Sequence, residues 1–521
     1  MKKSLASEEV LSEQGVSNAR GLRYFQSDHL RKDLRGRSLR GGIITLGGQG
    51  VKFLLGLVST ATLARLLRPQ DFGLLAMVTA IIAFIHLFKD LGLSNATVQR
   101  SQVTHAQVSL LFWVNLALSI VVTFVVVALA PVIAWFYHEP RLVGITLTLS
   151  LNFIFSGFVV QHLALLRRQM EFRKLAMRDV GAMAFGIAAG ITLAWFGLGY
   201  WALVAVPVVT NVVGCFLIWL MCDWRPSRPQ LGVGARAMVS FGGNVTAFNV
   251  LNYLTLNFDN VLIGRVLGSG PLGFYTKSYG LLSLPISQIN MPMASVMLPG
   301  LSRLQHDARE YARLFVDAVR AIALVTVPIV VFSFFLSQDI VLVLLGPKWL
   351  AVAPVFRCMA PAAVCGAISF APGWLCESLG QSRRQLHYAV VSTPVIIAGF
   401  LVGIRWGIAG VAISYSITFS VCFWAYVWYS TKDSPVGFAD MGVSFAAAFF
   451  PALLAGVIVW VVRWSVASDV RPVVAVMVLG SGFVLLYASG AMLTKRSRAL
   501  ILSGLYLARK AVRGPAKADV G

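Results

Sequence analysis

Charged residues are scarce in this sequence. Only 12% of its 521 residues are Asp, Glu, Lys or Arg, and acidic residues are the scarcer half, so the net charge is +23. Soluble domains carry about 25% charged residues, so the composition excludes an ordinary soluble domain. A basic surplus often indicates nucleic-acid binding. Here the surplus lies in loops and tails, where Lys and Arg orient membrane helices, and no nucleic-acid partner is predicted.

Cysteine is also sparse, and no cofactor motif is present. No CxxC pair occurs, and the seven His residues are scattered, so neither a disulfide nor a metal site is predicted. The sequence contains no GxxxxGK[ST] phosphate loop and no DxD motif, and no loop could fold as a catalytic domain. We therefore expect a protein that is not an enzyme and binds no cofactor, apart from H⁺ or Na⁺ as a coupling ion.

Long apolar runs fill most of the chain. About 20 apolar residues span a bilayer as a helix, and the mean hydropathy is +0.76. The predicted fold class is an all-α polytopic membrane protein with about 14 transmembrane helices. The predicted spans are 41–64, 74–93, 109–136, 142–164, 179–197, 199–222, 237–264, 272–298, 314–336, 349–375, 385–404, 407–430, 441–463 and 471–494.

The distribution of Lys and Arg predicts the orientation. If the N-terminus is cytoplasmic, every even-numbered loop between spans is cytoplasmic too. Most Lys and Arg residues lie in these loops and in the two tails, above all in the loop 167–179. Short cytoplasmic loops carry such an excess. We therefore expect a multi-pass protein of a bacterial inner membrane with both termini in the cytoplasm.

One short turn occurs twice. "LARLLRPQDFG" (63–73) and "IGRVLGSGPLG" (263–273) share Arg, Leu and Gly at positions 200 residues apart. Upstream, "TLGGQ" (45–49) resembles "SFGGN" (240–244). Two good turns alone would not explain these matches, so we interpret them as two parallel copies of a six-helix unit, as is common in transporters.

This interpretation divides the chain into five parts. They are a cytoplasmic polar tail (1–40), an N-lobe (41–222), a C-lobe (237–430), two appended spans (441–494) and a basic cytoplasmic tail (495–521).

The stretches 62–100, 241–285 and 298–307 resemble the bacterial polysaccharide transporters, the Wzx-type O-antigen and exopolysaccharide flippases. These belong to the multidrug/oligosaccharidyl-lipid/polysaccharide exporter superfamily, and the colanic-acid exporter subgroup is the most similar. The resemblance covers roughly 40–430 and implies two six-helix bundles in a V shape. The long polar N-terminal tail departs from the family pattern.

The resemblance also implies the function. Such flippases move undecaprenyl-pyrophosphate-linked oligosaccharide repeats from the inner to the outer leaflet, for exopolysaccharide or lipopolysaccharide synthesis, by alternating access. The expected partners are that substrate, membrane lipids and a polysaccharide polymerase with its chain-length regulator.

Basic residues within the apolar spans are candidates for the anionic pyrophosphate, because ionisable groups in a membrane are costly and usually functional. Lys52 lies near the middle of span 1 and would meet either a substrate anion or a carboxylate. Arg357 in span 10 is a second candidate. Lys277 and Arg265 lie toward the outer mouth, where they would bind anions or mark the interface.

Span 7 is unusually polar. Asn249, Asn252, Asn257 and Asn260 fall on one broad helical face, so we expect this face to line a cavity or to bond other helices. Asp259 is the most interior carboxylate of the sequence. It would either couple transport to H⁺ or Na⁺ or pair with a cation.

Other residues have less specific signals. The pair Lys89 and Asp90 would anchor the end of span 2, and Asp317 and Arg320 are spaced to pair on one helical face. Four aromatic residues could stack on sugars or sit at the membrane interface. They are Trp113, Tyr253, Trp374 and Trp406.

Two other function classes remain open from the sequence. A multidrug cation exporter needs acidic or aromatic groups for its cargo, whereas this chain has more intramembrane cations than carboxylates. A membrane polymerase or ligase needs catalytic groups in a sizeable outer loop, which the sequence does not contain.

Overall fold

A computed structural model describes residues 25, 34–86, 103–229, 243–465, 470–494, 496–500 and 502. Within these residues the regular elements are all helical, which confirms the predicted all-α class. The chain separates into two compact units, Met1–Tyr253 and Leu254–Gly521. The boundary falls inside a helix, so the predicted lobe limits stay a prediction.

The helices of the first unit follow one another with short connections. They are α1 (Leu34–Leu66), α2 (Pro69–His86), α3 (His105–Tyr137), α4 (Arg141–Arg168), α5 (Phe172–Trp195) and α6 (Tyr200–Met221), and the first turns of α7 (Gly243–Leu267) complete the unit.

Among its described residues, the second unit contains the rest of α7, nine further α-helices and two short 3-10 helices, Pro347–Trp349 and Ile404–Trp406. The nine α-helices are α8 (Ser269–Arg303), α9 (Ala308–Phe335), α10 (Ser337–Leu344), α11 (Val352–Gly366), α12 (Ala371–Ser378), α13 (Ser382–Gly403), α14 (Gly407–Thr431), α15 (Phe438–Ser465) and α16 (Pro472–Ala491).

A helix lies at each of the fourteen predicted spans. Eleven helical stretches of the described residues are long and apolar enough to cross a membrane, and one of them, Arg383–Thr431, contains both α13 and α14. The stretches do not include α1 and α7, parts of whose side chains lie outside the described residues.

Span 10 differs from the prediction of one helix. The structure divides it into α11 and α12 at residues 367–370. Pro372 occupies the first turn of α12, where its missing N–H would have no helical partner in any case. The same proline could not donate a hydrogen bond within a continuous helix, so the break falls just before it.

The turn that occurs twice in the sequence joins α1 to α2 at its first copy and α7 to α8 at its second. Between α1 and α2, the Asp71 carboxylate accepts a hydrogen bond from the Arg68 N–H at 2.9 Å. Between α7 and α8, Gly268 has a φ of 88° and its N–H donates to the Ile263 carbonyl oxygen at 3.2 Å. Only glycine adopts that backbone conformation without strain.

Candidate functional site

Three charged side chains form a cluster between α1, α5 and α6 in the first unit. Lys52 Nζ lies 3.6 Å from Asp179 Oδ2, and Arg178 Nη1 donates to Asp179 Oδ1 at 2.9 Å. Arg178 Nε also donates to the Gly214 carbonyl oxygen at 3.2 Å. Two cations share one carboxylate, so the cluster keeps a net positive charge.

Small residues bring these helices close enough for the cluster to form. A Cβ on Gly48 of α1 would lie 3.2 Å from Ala176 Cβ on α5. A Cβ on Gly214 of α6 would lie 2.6 Å from an Arg178 guanidinium nitrogen. The side chains of Lys52 and Asp179 are 28% and 37% exposed, so a ligand can reach them.

A buried carboxylate lies in the second unit. Asp259 on α7 is 5% exposed, and the Tyr275 hydroxyl on α8 donates to its Oδ2 at 2.8 Å. The Asn260 N–H donates to Oδ1 at 2.8 Å. Within the described residues Asp259 makes no ion pair. Buried polar groups are usually hydrogen-bonded, as the Asp259 carboxylate is here. A carboxyl group can also exchange a proton or bind a cation.

The other predicted binding residues are spread over α7 and α8. Lys277 is partly buried two positions after Tyr275, and Arg265 is exposed in the last turn of α7. The side chains of Asn249 and Asn252 lie outside the described residues, as do Lys89 and Asp90.

Arg357 lies exposed in the second turn of α11. Its Nε donates to Ser337 Oγ at 2.7 Å. It lines a polar cavity of about 220 Å³ together with Asp339 and Arg463. Those two residues form a bidentate pair, in which Arg463 Nε and Nη2 donate to the Asp339 carboxylate at 3.1 and 2.9 Å.

Asp317 and Arg320 are spaced to pair on one face of α9, but among the described residues Asp317 pairs with a different arginine. Arg496, beyond α16, donates to Asp317 Oδ1 at 2.9 Å. Arg320 is buried, and its Nε has no hydrogen-bond partner among the described residues. Sequence spacing permits a pair but does not decide it when another part of the chain brings a competing cation.

The aromatic candidates have different surroundings. The Trp113 indole N–H donates to the Ser227 carbonyl oxygen at 2.7 Å, and the Tyr253 hydroxyl donates to the Ala80 carbonyl oxygen. Trp374 is buried at 4% exposure, whereas Trp406 is 69% exposed.

Sequence reasoning missed Arg178, Asp179, Asp339 and Arg463. The first two close the basic stretch 167–179, where they were counted only as loop charge. The other two are 124 positions apart, and one sequence gives no signal that they meet. For Asp179 a signal existed, since an acidic residue among cations at the start of an apolar span is unusual there.

Comparison with known proteins identifies the family. A family model described as "Polysaccharide biosynthesis protein" matches residues 62–354. The chain belongs to this family. This confirms the resemblance drawn from the sequence, and the protein is a multi-pass membrane protein of a transporter family.

Relatives within the family are distant but extensive. The chain is 26% identical to the Escherichia coli lipopolysaccharide biosynthesis protein WzxC over 67% of its own length and 71% of that protein. It is 24% identical to the Rhizobium meliloti succinoglycan biosynthesis transport protein ExoT, over 60% of this chain and 63% of that one.

Solved structures show the same fold. A lipid II flippase MurJ structure, in an inward closed conformation, aligns with a TM-score of 0.70 at 12% identity, covering 89% of this chain and all of that one. An inward-facing multidrug MATE transporter aligns with a TM-score of 0.58 at 15% identity, covering 75% and 95%. At such low identity these likenesses show the fold alone.

Proposed function

We propose that this protein is a flippase for lipid-linked oligosaccharides. It would move undecaprenyl-pyrophosphate-linked repeat units from the inner to the outer leaflet of a bacterial inner membrane, for exopolysaccharide or lipopolysaccharide synthesis. The family match over 62–354 carries the proposal, and relatives are named for lipopolysaccharide biosynthesis and succinoglycan transport. A polymerase and a chain-length regulator are proposed as partners that receive the product.

The positive cluster of the first unit supports an anionic substrate. A pyrophosphate needs cationic donors inside an otherwise apolar protein, and charge-assisted hydrogen bonds are the strong ones. Lys52 has one carboxylate partner, which Arg178 also contacts. Asp179 can therefore stay paired with Arg178 while Lys52 turns to the pyrophosphate.

Asp259 is the proposed coupling residue. It is buried beside the Tyr275 hydroxyl and makes no ion pair within the described residues. Binding and release of H⁺ or Na⁺ at Asp259 would shift the second unit from one conformation to another. Alternating access requires two such conformations. Asn249, Asn252, Arg265 and Lys277 stay predictions as substrate-binding residues, and the location of Arg357 favours a different assignment, argued below.

Deletion of the gene in the native host tests the function. We expect surface polysaccharide to be lost and single lipid-linked repeats to accumulate facing the cytoplasm. Repeats accumulating on the outer leaflet would instead indicate a polymerase or ligase. Normal polysaccharide with a changed tolerance to cationic drugs would indicate a drug exporter.

Three variants test the role of Lys52 in the complemented deletion strain. Lys52→Gln should abolish export with normal insertion, because the pyrophosphate loses its cation. Lys52→Met combined with Asp179→Met should also fail to export. If that double variant recovered export, Lys52 would serve only to pair with Asp179. Arg68→Gln, at an exposed position of the same unit, is the control and should export normally.

Reconstituted vesicles test the role of Asp259. Asp259→Asn should remove the response of flipping to an imposed H⁺ or Na⁺ gradient, since the amide keeps a hydrogen bond to Tyr275 but cannot bind either ion as a carboxylate does. Tyr275→Phe is the matched variant that keeps the carboxylate, and it should keep a gradient response. An unchanged response in Asp259→Asn would assign the residue to structure.

A further inference from the structure

Two neighbouring cavities lie in the second unit. The polar cavity described above has about 220 Å³, and an apolar cavity of about 360 Å³ lies between α9, α11, α14 and α15. Phe335 lines both of them. Phe334, Trp424, Phe445 and Phe449 give the apolar cavity an aromatic wall.

Three helices, α9, α11 and α15, contribute residues to the lining of both cavities. On α11, Arg357 lines the polar cavity, and Ala360 and Pro361, three and four positions later, line the apolar one. Residues at this spacing share a helical face. On α15, Arg463 lines the polar cavity and Leu453 the apolar one. The two cavities are therefore adjacent, and Phe335 lies between a polar end and an apolar end.

Among the described residues that line it, the polar end has two arginines, Arg357 and Arg463, and one carboxylate, Asp339. Arg463 is paired with Asp339 through two hydrogen bonds. Arg357 donates its Nε to the neutral hydroxyl of Ser337 and forms no ion pair within the described residues. A guanidinium has five N–H donors in a planar fork that matches phosphate. The polar end is thus suited to one monoanionic phosphate.

The position of Phe335 depends on a glycine. A Cβ on Gly456 of α15 would collide with the Phe335 ring, so only glycine lets the ring lie against α15. The ring forms the border between the charged end and the aromatic wall. Such a border suits the junction between a headgroup and a hydrocarbon chain.

We propose that the two cavities together form a binding site for an anionic phospholipid, with its phosphate at Arg357 and an acyl chain along the aromatic wall. The size of the polar end favours a small headgroup, because sites for drug-sized ligands occupy about 300–1,000 Å³ and this end has about 220 Å³. The site is independent of the proposed transport function and belongs to a membrane lipid that stays bound.

Native mass spectrometry of the purified full-length protein tests the site. Phosphatidylglycerol and phosphatidylcholine with identical acyl chains are titrated in a neutral detergent. We expect phosphatidylglycerol to bind at least tenfold more tightly, and Arg357→Gln to remove that preference. Arg405→Gln, at an exposed arginine between α13 and α14, is the matched control and should keep it. Equal binding of both lipids to the wild type would overturn the proposal, as would an equal loss in the control.

Two further variants separate the two ends of the site. Arg357→Lys keeps a cation and should keep part of the preference, which shows that loss in Arg357→Gln is not misfolding. Leu453→Trp fills part of the apolar cavity and should weaken the binding of phosphatidylglycerol at least tenfold. Unchanged binding in Leu453→Trp would contradict the acyl-chain assignment.

Competition distinguishes the two sources of a lipid phosphate. Undecaprenyl phosphate should displace bound phosphatidylglycerol only at higher concentration than phosphatidylglycerol itself. Displacement at lower concentration would assign the site to the carrier lipid and overturn the proposal. Glycerol 3-phosphate, which carries the headgroup charge without a chain, should not compete at millimolar concentration.

Discussion

At the scale of single residues, charge placement carries most of the functional argument. The prediction that Lys52 meets a substrate anion or a carboxylate rests on one cation in an apolar run, and the structure supplies the carboxylate, Asp179. The partner could not be predicted, because the α1–α5 pairing depends on tertiary packing of glycines that look like ordinary small residues in the sequence. Asp259 was recognised as interior from the sequence, but its Tyr275 partner was not.

Glu139, in the loop between α3 and α4, gives a pH-dependent prediction. The hydrogen bond from Arg141 lowers the pKa of this carboxyl below its usual value. A lowered pKa means that the pair stabilises the fold at pH values above the unfolded pKa. That stabilisation is lost as the pH falls through the lowered pKa.

Thermal unfolding of the purified protein between pH 6 and 3 measures this effect. The wild type should lose slightly more stability over that range than Glu139→Gln, by less than about 1 kcal/mol, since an exposed pair contributes little. Arg141→Gln should resemble Glu139→Gln. A steeper pH dependence in either variant than in the wild type would contradict the sign.

At the scale of elements, apolar runs predicted the helices well and their interruptions poorly. All fourteen predicted spans contain a helix, because a chain in lipid must satisfy its backbone hydrogen bonds internally. The break between α11 and α12 lies inside a continuous apolar run that hydropathy alone cannot divide. The short helix α10 was missed because its eight residues are too few to span a bilayer and it directly follows α9.

Close packing of α5 on α6 gives an element-scale prediction. A Cβ on Gly186 would collide with the Thr210 hydroxyl and lie 2.6 Å from the Val206 carbonyl oxygen. Gly186→Ala should therefore destabilise the protein by about 1–3 kcal/mol, the usual cost of overpacking. Melting of the purified protein measures the effect.

Gly181→Ala on the same helix is the matched control for that substitution. Its Cβ would lie 3.4 Å from a Leu217 methyl group, which is an ordinary contact. We expect little change in its melting temperature. Equal destabilisation by both variants would show that the α5–α6 contact at Gly186 does not govern the result, since alanine has the higher helix propensity at both positions.

At the scale of the whole molecule, apolar runs and family resemblance predicted more than site chemistry did. The family and the polytopic helical fold are confirmed. Residue roles depend on contacts between helices far apart in sequence, as for Asp339 and Arg463. The appended spans illustrate the limit, since hydropathy predicted α15 and α16 but not what they pack against.

Removal of α15 and α16 tests their contribution to the second unit. A chain ending at residue 437 should unfold at a lower temperature than the full chain, because α9 would lose the helix that covers it and Asp339 would lose Arg463. Limited proteolysis in the region of α9 should become faster. Unchanged melting and proteolysis would show that the appended helices do not stabilise the unit.

Two ion pairs and one hydrogen bond connect the C-terminal part of the chain to α9 and to the start of α10. Arg463 holds Asp339 just past the end of α9, Arg496 holds Asp317 nearer its start, and the Tyr487 hydroxyl donates to the Leu324 carbonyl oxygen between them. These three contacts hold the segment 463–496 against α9 and the start of α10. A dye attached after α16 should therefore move together with α9, so its fluorescence would report movement of that part of the second unit.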